Sequence, residues 1–296
     1  MNILLCGASG FIGQHITQAL TLAGHEVVMG SSRANNPSHA PHIRINFNED
    51  TDPAVWLPRL QGIEAVVNAV GVLRDSRRRP MQAIHEGTPK ALFQACAQAG
   101  VRRVIHVSAL GIEGNATPYA QTKLAADAHL LQLNAQGQLD GMVLRPSIVF
   151  GQQGDSSRLF MMLARSPALL LPQAVISAKV QPVAVQDLAH AITRLLGDAS
   201  DLKGILACVG PTQLTLSAFI ASLREQLGKS AARVLPLPEP LTQLSVRLGD
   251  HVPGSPWCSD TLALLAQDNI APAQPFADVL GRSPVPPTAL LRTSWS

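Results

Sequence analysis

Asn2-Ile3-Leu4-Leu5-Cys6-Gly7-Ala8-Ser9-Gly10-Phe11-Ile12-Gly13 opens the chain. Residues 2–6 form a short apolar run, the pattern of a strand covered on both faces in a parallel sheet, and the run breaks at Gly7. Beyond the glycines, Ile12, Ile16, Ala19, Leu20 and Ala23 recur at helical spacing until Gly24. His25-Glu26-Val27-Val28-Met29-Gly30 then reads as a second strand. In this order each glycine has a mechanical role. Gly7 permits the tight turn, Gly10 lets backbone approach a pyrophosphate, and Gly13 lets helix pack on strand, so the segment predicts a dinucleotide site at a helix amino terminus.

The alternation continues along the chain. Ile43 to Phe47 reads as a third strand, Ala65 to Gly71 as a fourth, Val104 to Ser108 as a fifth and Met142 to Arg145 as a sixth, with a helix expected from Met81 to Ala99. Strands and helices at this spacing predict an α/β fold, a Rossmann-type doubly wound parallel sheet with right-handed crossovers. A ligand in such a sheet crosses the carboxyl ends of the strands. Gly7, Ser9, Gly10, Phe11, Ile12, Gly13, Arg33, Ala69, Val70, Gly71, Ser108 and Pro146 are then expected along one crevice. NAD sites commonly place Asp or Glu at the end of the second strand, whereas Ser31-Ser32-Arg33 offers hydroxyls and a guanidinium suited to a 2′-phosphate. The expected cofactor is NADP, with NAD possible.

The only tyrosine, Tyr119, stands four residues before Lys123. On a helix the two share a face. Thr117 is a capping residue and Pro118 suits a first helical position, so a helix is expected to start there with Tyr119 at the positive end of its dipole. A free phenol titrates near ~10, and that dipole together with Lys123 is expected to lower it toward neutrality, as a general acid/base requires. A half-buried tyrosine beside a surface lysine is the plain alternative.

With 296 residues, 46% of them hydrophobic, the chain can bury a large core and exceeds the ~150-residue norm for one domain. Residues 1–151 with 178–210 are expected to form the NAD(P)-binding domain, and 152–177 with 211–296 a smaller, discontinuous substrate or partner lobe. That lobe is leucine-rich and charge-poor, which suits an apolar substrate or a hydrophobic partner, and its tail from Leu235 to Pro287 is punctuated by prolines. The net charge is +3, and the cluster Arg74, Arg77, Arg78, Arg79 reads first as a solvated loop, otherwise as a seat for phosphate, nucleic acid or an acidic partner. No aromatic residues alternate with these arginines, so nucleic acid is not expected. Cysteines 6, 96, 208 and 258 form no CxxC pair and the histidines no HExxH, so no metal is expected, His106 is read as structural, and a reduced, cytoplasmic setting fits. No signal peptide is seen, and Leu159 to Ile176 is too interrupted to span a bilayer.

These residues resemble the short-chain dehydrogenase/reductase superfamily in its extended or atypical, epimerase/dehydratase-like branch. The Gly7–Gly13 turn looks like its cofactor turn, Tyr119-Ala-Gln-Thr-Lys123 like its YxxxK and Ser108 like its catalytic serine. Leu144-Arg145-Pro146-Ser147-Ile148-Val149-Phe150-Gly151 is similar to its LRPxxVxG, and Gln181-Pro182-Val183-Ala184-Val185-Gln186-Asp187-Leu188-Ala189 to its QPVxVxDLA. His106 to Gly111 and Ala266 to Ile270 look like segments of the subgroup around the accessory NAD(P)-binding subunit of respiratory complex I. The resemblance implies that Tyr119 exchanges a proton with a substrate oxygen, that Lys123 binds the nicotinamide ribose and that Ser108 hydrogen-bonds the substrate. It implies too that Pro146 to Ile148 hold the nicotinamide amide. Asn46 stands where an aspartate often contacts adenine, and only eleven positions separate Ser108 from Tyr119, shorter than the family's usual gap. Two functions follow: an NAD(P)-dependent reductase, dehydrogenase or epimerase on a small-molecule substrate, or a nucleotide-binding assembly or stability factor for a membrane-associated respiratory or quinone-pathway complex.

Overall fold

The computed structural model describes residues 1–32, 41–197, 201–252 and 257–295. The chain divides into two compact units, Met1–Arg145 with Ala189–Leu206, and Pro146–Leu188 with Ala207–Ser296.

In the first unit, β1 (Asn2–Cys6), α1 (Phe11–Leu22) and β2 (Glu26–Ser31) appear in the expected order. β3 (His42–Arg44), β4 (Ala65–Asn68), α2 (Thr88–Ala99), β5 (Arg103–Val107), α3 (Pro118–Ala135) and β6 (Asp140–Pro146) follow. The sheet order is Gly204–Cys208, β6, β5, β4, β1, β2, β3, and the pairs from β6 to β3 run parallel. The order reverses at β1, so the switch point lies between β1 and β4 at their carboxyl ends. Leu4, Val66, Val104 and Val143 of the strands pack with Leu92, Phe93 and Cys96 of α2 in one core.

Three boundaries depart from the sequence expectation, each for a local reason. β3 stops at Arg44 because the chain leaves the sheet for a turn in which Asn46 O accepts from Glu49 N and Asp50 N, while Asn46 N donates to Asp50 Oδ2. β4 stops at Asn68 because its Oδ1 accepts from Val70 N at 3.1 Å, an Asx turn that redirects the backbone. The helix expected from Met81 is not uniform. Ala83–Gly87 is a π-helical turn before α2, and it points His85 inward.

The second unit is built around the helices Asp155–Arg165 and Leu216–Gln226, with Phe150, Phe160 and Phe219 in edge contact at their centre. Strands Ala168–Pro172 and Arg233–Leu237 pair in parallel. The proline-punctuated tail is largely helical, with Glu239–His251, Ser259–Leu265 and Gln274–Leu280. Pro240 and Pro275 sit in first turns, where a missing N–H costs nothing, so these prolines start helices. Among the described residues no helix is long and apolar enough to cross a membrane.

Candidate functional site

The turn after β1 is fixed by backbone. Gly7 has φ +85°, its N donates to Gly30 O at 3.0 Å, and Gly10 N donates to Gly7 O at 2.9 Å. A Cβ on Gly13 would overlap the Gly7 carbonyl oxygen, so the third glycine is demanded by packing inside the turn itself. α1 therefore begins beside the end of β1, with the first N–H groups of its dipole directed outward.

A cavity of ≈ 360 Å³ opens at this point in the first unit. Gly7, Ser9 and Gly10 line it from the turn, Ser31 and Ser32 from the end of β2, and Asn46 and Asn48 from the loop after β3. Ala69, Val70 and Gly71 line it from the loop after β4. Arg78 and Arg79 line it too, held by Asn48 Nδ2 donating to Arg78 O at 2.9 Å and by a turn in which Arg79 N donates to Ser76 Oγ at 3.0 Å. No Asp or Glu is among the lining residues, and among the described residues neither Arg78 nor Arg79 pairs with a carboxylate. Glycine-edged backbone, a helix start and two cations fit a phosphate-bearing dinucleotide.

Phe11, Ile12 and Gly13 belong to the first turn of α1 rather than to the cavity wall. Pro146 and Ile148 belong to the second unit. Arg33 lies outside the described residues.

Thr117 caps α3, its Oγ1 accepting from Ala120 N, and Pro118 takes the first helical position. Tyr119, Lys123 and Asp127 follow on one face at steps of four. The Tyr119 ring is half-buried and meets His85 edge-on, centroids 5.3 Å apart. Lys123 is buried, and its Nζ donates to Val107 O at 3.0 Å. A Cβ on Gly71 would sit 3.5 Å from that Nζ, so the ammonium borders the cavity wall.

Ser108 does not stand free. Its Oγ donates to Asp127 Oδ2 at 2.9 Å, and Arg145 donates to the same oxygen from Nε at 2.9 Å. Arg145 also pairs with Glu113. Asn68 Oδ1 is committed to Val70 N, so its Nδ2 donates to His106 Nδ1 at 3.2 Å. That leaves the proton of His106 on Nε2, 3.7 Å from Asp127 Oδ1. Burial, then Lys123 and His85, hold His106 well below its usual range, so it is neutral and structural.

The expected lowering of the Tyr119 pKa is not found. Burial, and after it the Asp127 carboxylate, push the phenol up to about 12. Desolvation opposes the phenolate, and Asp127 sits on the same helix face as the lysine meant to stabilise it. At neutral pH Tyr119 thus holds its proton, which suits an acid rather than a base. Burial lowers Lys123 to about 8 against the opposing pull of Asp127, and burial raises Asp127 to about 6 against the Ser108 hydrogen bond and Lys123. Burial, then Lys123, lower His85 to about 2. Its Nε2 accepts from Val72 N at 2.9 Å, which leaves the proton on Nδ1 facing Thr122 Oγ1 at 3.3 Å.

Sequence reasoning missed His85, Asp127 and the placing of Arg78 and Arg79. Asp127 carries a signal, four residues beyond Lys123, and the arginine cluster is legible as a candidate phosphate seat though not as part of this cavity; His85 carries none. No group of three or more metal-ligating side chains is found among the described residues.

The NAD dependent epimerase/dehydratase family model matches residues 3–206. The mouse mitochondrial NADH dehydrogenase [ubiquinone] 1 alpha subcomplex subunit 9 is 23% identical over 95% of this chain and 76% of its own. A 2-alkyl-3-oxoalkanoate reductase of Stenotrophomonas maltophilia is 28% identical over 51% of this chain and 52% of its own. The UDP-glucuronic acid 4-epimerase of Bacillus cereus, solved with UDP-glucuronic acid and NAD, superposes with a TM-score of 0.73 at 19% identity, covering 100% of this chain and 98% of that one. At that identity the likeness is one of fold.

Proposed function

We propose, from the premise that the chain belongs to the NAD dependent epimerase/dehydratase family, that it is an NADP-dependent oxidoreductase acting on a carbonyl compound. One observation carries this: Tyr119 and Lys123 share a face of α3, and the lysine ammonium borders Gly71 of the glycine-edged cavity. Backbone from Gly7 to Gly10 and the start of α1 would hold the pyrophosphate, Asn46 the adenine and Lys123 the nicotinamide ribose. A bound nicotinamide supplies hydride. Tyr119 Oη would release its proton to the substrate's carbonyl oxygen, one proton matching the one hydride such a cofactor would supply. A phenol that is protonated at neutral pH favours this reductive direction. Ser108 commits its proton to Asp127 Oδ2 and in that arrangement offers the developing alkoxide no donor, while Lys123 would stabilise the phenolate left behind.

NADP is favoured over NAD by the carboxylate-free lining and by the two guanidinium groups on it, which can pair with a third phosphate. An apolar carbonyl substrate agrees with the leucine-rich second unit and with the name of the Stenotrophomonas relative, a 2-alkyl-3-oxoalkanoate reductase. Four free, buried cysteines agree with a cytoplasmic setting.

The test pairs Tyr119→Phe with the parent. Both should bind NADPH alike by fluorescence titration, while turnover of a ketone substrate found by screening falls by at least ~10²-fold in the variant. Equal turnover would remove Tyr119 from the chemistry. The subunit relative, matched over 95% of this chain, favours one other function, a nucleotide-binding part of a membrane-associated complex. NADPH binding without turnover of any ketone, together with co-purification of a partner complex, would favour that function.

A further inference from the structure

The second unit holds a cavity of ≈ 300 Å³ that the dinucleotide reading leaves unused. Its walls come from Leu159, Leu163, Val175, Ile220, Leu265 and Trp257, with Ser245 as a lone hydroxyl. That hydroxyl has no proton left for a ligand and at most one lone pair: Ser245 Oγ accepts from Trp257 Nε1 at 3.1 Å and donates to Thr242 O at 2.8 Å. No charged side chain lines the space. A phosphate placed there would lose its hydration with no donor in return, and a sugar would recover at most one hydrogen bond. A hydrocarbon would lose nothing and would restore the dispersion contacts that an empty apolar space forfeits.

The mouth extends this character outward. Met162 and Leu170 line the cavity yet are 60% and 58% exposed. On helix Glu239–His251, Leu241, Leu244 and Leu248 are 51%, 55% and 62% exposed. Leu241 and Leu248 fall on the helix face that carries Ser245, at i, i+4 and i+7, so the apolar surface continues beyond the cavity. Single exposed leucines need no explanation, but a row beside an apolar opening does.

We propose that this unit binds the hydrocarbon tail of a single-chain amphiphile, about ten carbons inside and the remainder along Leu241, Leu244 and Leu248. The length follows from roughly 30 Å³ per methylene, close to a water molecule's share of liquid volume. The site stands independently of the Tyr119 chemistry.

The probes are octanoate, decanoate, dodecanoate and hexadecanoate below their micellar concentrations, titrated calorimetrically into the full chain, with quenching of Trp257 by 12-bromododecanoate. Affinity should rise about two- to fourfold per methylene up to about ten carbons, as burial of each CH₂ implies, and more gently beyond. Leu163→Trp, which fills the cavity, should abolish binding, as should Leu170→Glu at the exposed rim, where folding is little affected. Leu202→Glu, exposed in the first unit, should bind as the parent does. Trp257→Phe should remove the quenching and keep the binding. A flat chain-length series, or undiminished binding in both cavity variants, would overturn the proposal. So would flotation with phosphatidylcholine vesicles without Trp257 quenching, which would make the leucine row a membrane-docking face. Concentration-dependent dimers that exclude the probe would instead make it a contact between copies.

Discussion

Converting Arg78 and Arg79 together to alanine should weaken NADPH selectively. Both side chains line the cavity from an anchored loop, and no carboxylate on its wall neutralises them. A hydrogen bond to a charged group contributes about 1.5–3 kcal/mol, but both residues are exposed, so solvent screens them and the same range is the expectation for the pair. That corresponds to roughly 10- to 100-fold in Kd. NADH lacks the third phosphate and should change by less than about threefold, a difference well below 1.4 kcal/mol. Fluorescence titrations of both cofactors at two ionic strengths measure this directly, and the NADPH preference of the parent should shrink as salt screens the cations. Equal loss for NADPH and NADH would move the arginines to the pyrophosphate, and no loss for either would return them to solvent. Failure of the parent to bind either cofactor would be a different result, because it would refute the dinucleotide site itself.

Two further outcomes follow from the glycine turn and the buried lysine. Gly13→Ala should destabilise the fold by about 1–3 kcal/mol or more in urea, because its Cβ meets the Gly7 carbonyl. Gly10→Val, whose Cβ would lie 3.2 Å from Gly7 O, should stay folded and lose cofactor affinity; unchanged stability in the first or unchanged calorimetric affinity in the second refutes the assigned role. Burial lowers Lys123 to about 8 in the folded chain from 10.5 for a free lysine, so between those values the unfolded chain binds more protons and the parent gains stability as pH rises. The gain from pH 7 to 10 should be about 2–3 kcal/mol, and Lys123→Met should lack it; identical pH slopes in parent and variant would show that the lysine is not buried as a cation.

The residues that announced the fold are those whose roles are local. Gly7 and Gly13 act within one turn, and Thr117 and Pro118 within one helix start. The tail was harder to read, because proline marks a helix start or an interruption with the same letter. The shared helix face of the candidate residues Tyr119 and Lys123 was legible because it lies along one helix. The candidate site was not legible where three segments meet. The acidity of Tyr119 depends on desolvation and on Asp127, and the cavity wall at Arg78 and Arg79 depends on the loop after β4 reaching Asn48. The π-helical turn at Ala83–Gly87 left no trace in hydrophobic spacing, although such turns gather at functional sites.

His85, on that turn, links two parts that chemistry must keep in register. Its imidazole is tied to the backbone of the cofactor-side loop at Val72 and to Thr122 on α3, and its ring supports Tyr119. Because burial, then Lys123, keep the ring uncharged at neutral pH, protonation of His85 does not disturb the spacing between loop and tyrosine there. The bracket also limits what can be transplanted. A loop grafted between Gly71 and Met81 from another scaffold would arrive without its anchor unless it supplied a backbone N–H to Nε2. Under the proposed function, redesign of cofactor choice would therefore also, through one imidazole, shift the aim of Tyr119.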